Sequence, residues 1–134
     1  MIRLWFAALS LLIAVTAWAQ TPNPVVPSQR QPFNSGELTS VANTAVAHTI
    51  TGVVNRTVRL MSFKARCSGG TSTVTVTDGG TTVWSTPSGA IGTGDGGAIW
   101  MPPLSLTVGN TVVVTLATCG SGNTGKLNVQ ADQW

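Results

Sequence analysis

The chain has 134 residues, a formal net charge of +3 and only 8% charged residues, against about 25% in ordinary soluble proteins. Its size allows one domain, and its low charge excludes a long-helix bundle, a coiled coil or a charged disordered tail. With one His, four acids and no Tyr, few groups are available for proton transfer, which weighs against most hydrolytic chemistry.

Residues 1–19 read as an export leader. Arg3 gives a positive start, residues 4–15 form an apolar run broken only by Ser10, and Ala17-Trp18-Ala19 offers the small-x-small pattern that signal peptidase cleaves. The run is about sixteen residues long before Gln20, shorter than the ~20 that a spanning helix needs. Cleavage before Gln20 is therefore expected, leaving no stable membrane anchor, and no Cys follows the run to take a lipoprotein anchor. The expected destination is secreted, periplasmic or the cell surface.

Loss of Arg3 lowers the net charge from +3 to +2. That is too weak for nucleic acid, whose phosphates need a clustered basic patch. Arg56, Arg59, Lys64 and Arg66 lie close in sequence, but alternation along a strand puts Lys64 and Arg66 on one face and Arg59 on the other. They read as a short solvated row.

Residues 20–36 hold four of the seven prolines in the run TPNPVVPSQRQPFNSG. This composition favours an extended, polyproline-like arm or linker, with a tether to the following domain as its default role. Residues 37–134 are then the folded domain.

From Glu37 onward the apolar pattern has period two. Val46, His48 and Ile50 alternate in a Thr/Val/Ala-rich stretch. Met61, Phe63, Ala65 and Cys67 share one face of the next segment, while Val58 and Leu60 have the opposite parity. A bulge near Leu60 would keep all of them inward. Residues 71–77 and 81–85 flank Asp78-Gly79-Gly80, the clearest hairpin in the chain.

Residues 98–101 form a further strand that Pro102-Pro103 is expected to end. Val112, Val114 and Leu116 face one way, the GSGNTG loop follows, and Leu127, Val129 and Ala131 alternate to the end. No segment holds a helical period beyond a turn. The pattern predicts an all-β chain, an antiparallel β-sandwich of jelly-roll or immunoglobulin-like type with seven to eight strands.

In an oxidising compartment Cys67 and Cys119 are the only intramolecular pair available, so a disulfide between them is expected. Cys119 has the wrong parity for the inner face of its strand. It must sit past the strand end, and a surface staple at one rim is favoured over a buried inter-sheet bridge. Two Cys, one distant His and no CxxC spacing give no metal site.

Candidate chemistry is sparse. His48 stands on an apolar face with no acid at a useful spacing and no G-x-S-x-G elbow, and reads as a rim or core histidine. Glu37, Asp78, Asp95 and Asp132 cannot be paired on one strand face as a glycosidase requires. The GTGDGG run at residues 92–97 lacks the Lys-Ser/Thr of a phosphate loop and the acids of a calcium loop, and reads as a flexible loop. No catalytic residue and no cofactor is assigned. Asn55-Arg56-Thr57 is a glycosylation sequon that matters only under eukaryotic export. Trp84 and Trp100 are the candidate ligand platforms, because an exposed indole offers a flat apolar face for a sugar ring. The competing role for either ring is to fill a core that has only three Phe to draw on.

Arg59-Leu60-Met61-Ser62-Phe63, residues 70–85 (GTSTVTVTDGGTTVWS), residues 104–116 (LSLTVGNTVVVTL) and residues 125–131 (GKLNVQA) carry a resemblance. In order and turn chemistry they resemble small β-sandwich modules of tailed-phage accessory virion proteins, the capsid decorations and fibre-associated heads. The resemblance covers roughly half of the chain and implies a non-enzymatic structural or adhesive role, often oligomeric. The export leader departs from virion proteins assembled in the cytoplasm and points to a secreted or cell-surface setting. The expected function is a self-associating structural subunit, a homo-oligomer or larger surface assembly. The alternative is a carbohydrate-binding module with a glycan as partner.

Overall fold

The structure is a computed structural model and describes residues 30–134; the leader, the cleavage position at Gln20 and most of the Pro-rich arm lie outside the described residues. Nine strands follow in order: β1 (Gln31–Asn34), β2 (Leu38–Thr39), β3 (Val46–Ile50), β4 (Val58–Cys67), β5 (Val74–Asp78), β6 (Thr81–Ser85), β7 (Gly96–Ser105), β8 (Val112–Leu116) and β9 (Gly125–Gln133). The first sheet runs β1-β9-β4-β7, with β2 also on β9, and the second runs β3-β8-β5-β6. Every pairing is antiparallel. The all-β sandwich expected from the alternation is the fold, with nine strands among the described residues instead of seven to eight.

The alternation explains the two inner faces. Val46 and Ile50, Val74 and Val76, and Val112, Val114 and Leu116 bury from the second sheet against Val58, Leu60, Phe63, Ala65, Leu127, Val129 and Ala131 from the first. β-Branched residues dominate the inner face of the second sheet, as a pleated surface favours, whereas Leu, Phe and Ala share that of the first. The β5–β6 turn has φ of 56° at Gly79 and 88° at Gly80. Positive φ at both central residues defines the primed turn whose twist matches its strands.

β4 changes register once. Leu60 faces Ala131 and Ser62 faces Gln130, so Met61 is an extra residue against β9. The bulge brings Val58 and Leu60 to the same face as Phe63, Ala65 and Cys67, all buried. It also corrects two expectations: Met61 leaves the inner row, and Arg59 shares the outer face with Lys64 and Arg66 instead of opposing them.

Against β7 the same step is wider. Leu60 faces Leu104 while Ser62 faces Ile99, so residues 100–103 arch out opposite Met61. This arch holds Pro102-Pro103, with a cis peptide at Met101-Pro102. The prolines therefore do not end the strand. Among the described residues β7 is an edge paired only with β4, where a missing N–H and a break in the ladder are tolerated.

The end of the Pro-rich segment is also not a free linker. Gln31–Asn34 pairs with residues 130–133 of β9, and after a turn at Gly36 (φ 65°) β2 pairs with residues 126–127. Together they cover the edge of β9 that β4 leaves open.

Cys67 ends β4, and Cys119 lies three residues beyond β8. Their disulfide has a Cα–Cα distance of 5.5 Å and spans 52 residues. Cys119 does sit past its strand end, but the bridge is not a surface staple. Both cysteines are buried, and the bond ties one sheet to the other inside the rim. Replacing both by Ser is expected to lower unfolding free energy by up to about 4 kcal/mol, from the loop-closure cost of a loop this long. Urea unfolding of the variant beside the parent measures it.

Candidate functional site

The two lateral openings of the sandwich are closed differently. On one side Phe33 of β1 meets His48 of β3 edge-on, ring centroids 6.0 Å apart, and the Gln133 side-chain amide donates to the Thr51 carbonyl at 2.9 Å. On the other side β6 and β7 are free edges among the described residues, and aromatic rings stand between them. Alternation along β6 turns Trp84 inward and Val83 outward, and along β7 turns Trp100 inward and Ile99 and Met101 outward.

Trp84 and Trp100 meet edge-to-face at 5.2 Å with their planes 78° apart. Phe63, buried on β4, touches Trp84 at 5.6 Å and Trp100 at 5.8 Å. Both indoles are half-buried and pack on the core. Both candidate platforms thus help fill the core while keeping part of each ring at the surface. Around them the edge is apolar and exposed: Ile99 is 77% accessible, Met101 88% and Val83 46%. Neither β6 nor β7 carries an ionisable side chain.

The second constellation has no sequence signal. Asp132 points outward from β9 yet its side chain is 0% exposed, because two guanidiniums cover it. Arg59 donates from Nε to Oδ1 at 2.9 Å and from Nη2 to Oδ2 at 3.2 Å, and Arg30 donates from Nε to Oδ2 at 2.8 Å. The Arg59 guanidinium lies 4.3 Å from the centroid of Trp134, within cation–π range. Burial alone would raise the Asp132 pKa, but the bonds and charges of Arg59 and Arg30 outweigh it and hold the carboxyl below its ordinary range. The partners are 73 and 102 residues away in sequence, so only the folded register reveals the cluster.

The remaining ionisable groups are dispersed. Glu37 bridges Lys126 at 2.5 Å and Arg66 at 3.8 Å on the outer face of the first sheet, where Lys64 and Arg66 form the exposed row expected for them. Asp78 is buried and accepts the Thr107 N–H at 2.8 Å. His48 is buried with no hydrogen-bond partner for Nε2, and desolvation lowers its pKa. Asp95 is exposed on the loop before β7. Among the described residues no three His, Cys, Asp or Glu side chains gather to hold a metal ion, and no helix is long and apolar enough to cross a membrane.

The unfolded chain protonates His48 near its ordinary value of about 6.5, whereas the folded chain does so only at lower pH. Stability is therefore expected to fall as pH drops below about 6.5, and His48→Leu should flatten that part of the profile in thermal melts across pH. Asp132 contributes stability above its unfolded value of about 3.8 that is lost as pH falls through its depressed folded value. Asp132→Asn should cost about 1–3 kcal/mol at pH 7, the lower range reflecting the partial exposure of both arginines. Denaturant unfolding at pH 7 reads this directly.

Compared with known proteins, the sequence matches no family model, no curated protein and no solved structure.

Proposed function

We propose that the protein is a non-enzymatic structural or adhesive β-sandwich subunit, secreted or displayed at a surface, that self-associates through the β6/β7 side. The observation that carries this reading is the pair of free strand edges flanking half-buried Trp84 and Trp100, with Ile99, Met101 and Val83 exposed around them. Edges normally carry Lys or another charge to discourage pairing. These two have none, and β7 relies on the Pro102-Pro103 arch alone. A second copy would cover apolar side chains that water otherwise surrounds. The buried disulfide suits an oxidising compartment, and the likeness to virion accessory modules suits an assembled, non-catalytic role.

Light scattering on the exported protein tests this reading. A discrete oligomer or larger assembly is expected, and Ile99→Lys/Met101→Glu should shift it to monomer while leaving the melting temperature within a few degrees, since both residues lie outside the core. A monomer at all accessible concentrations would remove the proposal.

The carbohydrate-binding reading keeps one favourable observation, the partly open indoles. Because the rings stand 78° apart, they cannot form one continuous platform, and the geometry suits a single sugar unit on one ring face. Tryptophan fluorescence that stays constant across a polysaccharide panel would end that reading.

A further inference from the structure

The side of the sandwich opposite β6 and β7 is closed by one short strand and one buried histidine. We propose that it is an acid-operated latch, in which protonation of His48 releases β1 and uncovers the flank of β9. This device does not depend on association through β6/β7.

His48 stands on the inner face of β3 between Val46 and Ile50, with Val114 of β8 as its cross-strand neighbour. The residue is only 8% exposed, and its Nε2 is buried with no hydrogen-bond partner. A neutral imidazole needs only one donor, whereas an imidazolium carries an N–H at both nitrogens and a charge to be balanced. No carboxylate is at hand to take them. Among the described residues β3 meets β8, β9, β2 and, through the ring contact, β1. β8, β2 and β1 hold no ionisable side chain. On β9 both Lys126 and Asp132 point to the outer face, Lys126 to Glu37 and Asp132 to Arg59 and Arg30.

The latch itself is Phe33. Its ring meets His48 edge-on at 6.0 Å. It is also the one half-buried side chain of β1, because Gln31, Pro32 and Asn34 are exposed. Among the described residues β1 pairs with β9 alone. Arg30 shares Asp132 with Arg59, and Arg59 makes two bonds to that carboxylate, so Asp132 stays paired when β1 leaves. Just beyond β1, Ser35 is tied to Val129 by two bonds of 3.0 and 2.8 Å, which limits the release to residues before it. The interactions lost are thus confined to one edge strand, and opening is local.

Opening lets water reach the imidazole, which then titrates near its ordinary value of about 6.5. In the closed form desolvation holds it lower. Protons therefore bind the open form more tightly and shift the population toward it as pH falls. The backbone groups of residues 130–133 that faced β1 are then left to water or to another extended chain.

The chain has one histidine, and Glu37, Asp78 and Asp132 are held below the ordinary carboxylate range. Amide hydrogen exchange on the exported protein, corrected for intrinsic rates, is compared at pH 7.5 and 5.0, on either side of the ordinary histidine value. Protection of residues 31–34 should fall by about tenfold or more, since one linked proton allows up to about tenfold per pH unit. Protection in β5 and β8 should change by less than about twofold. His48→Leu and His48→Gln, both unable to titrate, should keep β1 protected at pH 5.0. Phe33→Ala should leave β1 open at both values. Unchanged protection of β1, equal loss in every strand, a pH response that survives both His48 changes, or full protection in Phe33→Ala would each overturn the proposal.

Discussion

The extra residue at Met61 is the constraint on which the rest of the molecule depends. β4 is paired on both sides along its length, so its register fixes which side chains of the first sheet face the core. Without the bulge, Val58 and Leu60 would turn outward when Phe63, Ala65 and Cys67 turn in. With it, the inner row is continuous and Cys67 reaches Cys119. β9 accommodates the step by a shift of one residue. β7 answers with the four-residue arch that carries Trp100 and the two prolines. The exposed Met101 and the half-open aromatic side are thus downstream effects of one inserted residue.

The same step sets the electrostatics. Placing Arg59 on the outer face puts it beside Asp132, its direct cross-strand neighbour, and Arg30 completes the cover. A chain with so few charges hides two of its four carboxylates, one under guanidiniums and one at a backbone N–H. What stays exposed is sorted by position, with the acids toward the disulfide end and Val53, Val54, Val108 and Trp134 toward the other. Low overall charge does not mean a featureless surface, because burial decides which charges are visible.

Much of the fold was legible because alternation and turn chemistry are local. Val46/His48/Ile50, Val112/Val114/Leu116 and the Asp78-Gly79-Gly80 hairpin each declare themselves within a few residues. So does the parity conflict at Leu60, which required a bulge. The parts that escaped depend on partners far along the chain. Gln-Pro-Phe-Asn has no strand pattern and becomes β1 because the edge of β9 is open beside it. Pro102-Pro103 argues against a strand until β7 proves to be an edge facing a bulge. Parity placed Cys119 beyond β8 but could not show that the rim closes over it. The Arg30–Asp132–Arg59 cluster depends on β9 register that no spacing rule encodes, and Trp84 and Trp100 share a contact only because β6 and β7 finish on the same side.

The position of β9 also bears on how the molecule is made. β9, the last of the described strands, lies inside the first sheet, with β4 on one flank and β1 and β2 on the other. A growing polypeptide can close the β5–β6 hairpin early, since the pairing of these two strands with each other is local. It cannot assemble the first sheet until residues 125–133 have emerged, and until then β1, β2 and β4 lack the strand that joins them. The first sheet therefore closes after the β5–β6 hairpin, when residues 125–133 join β4 to β1 and β2.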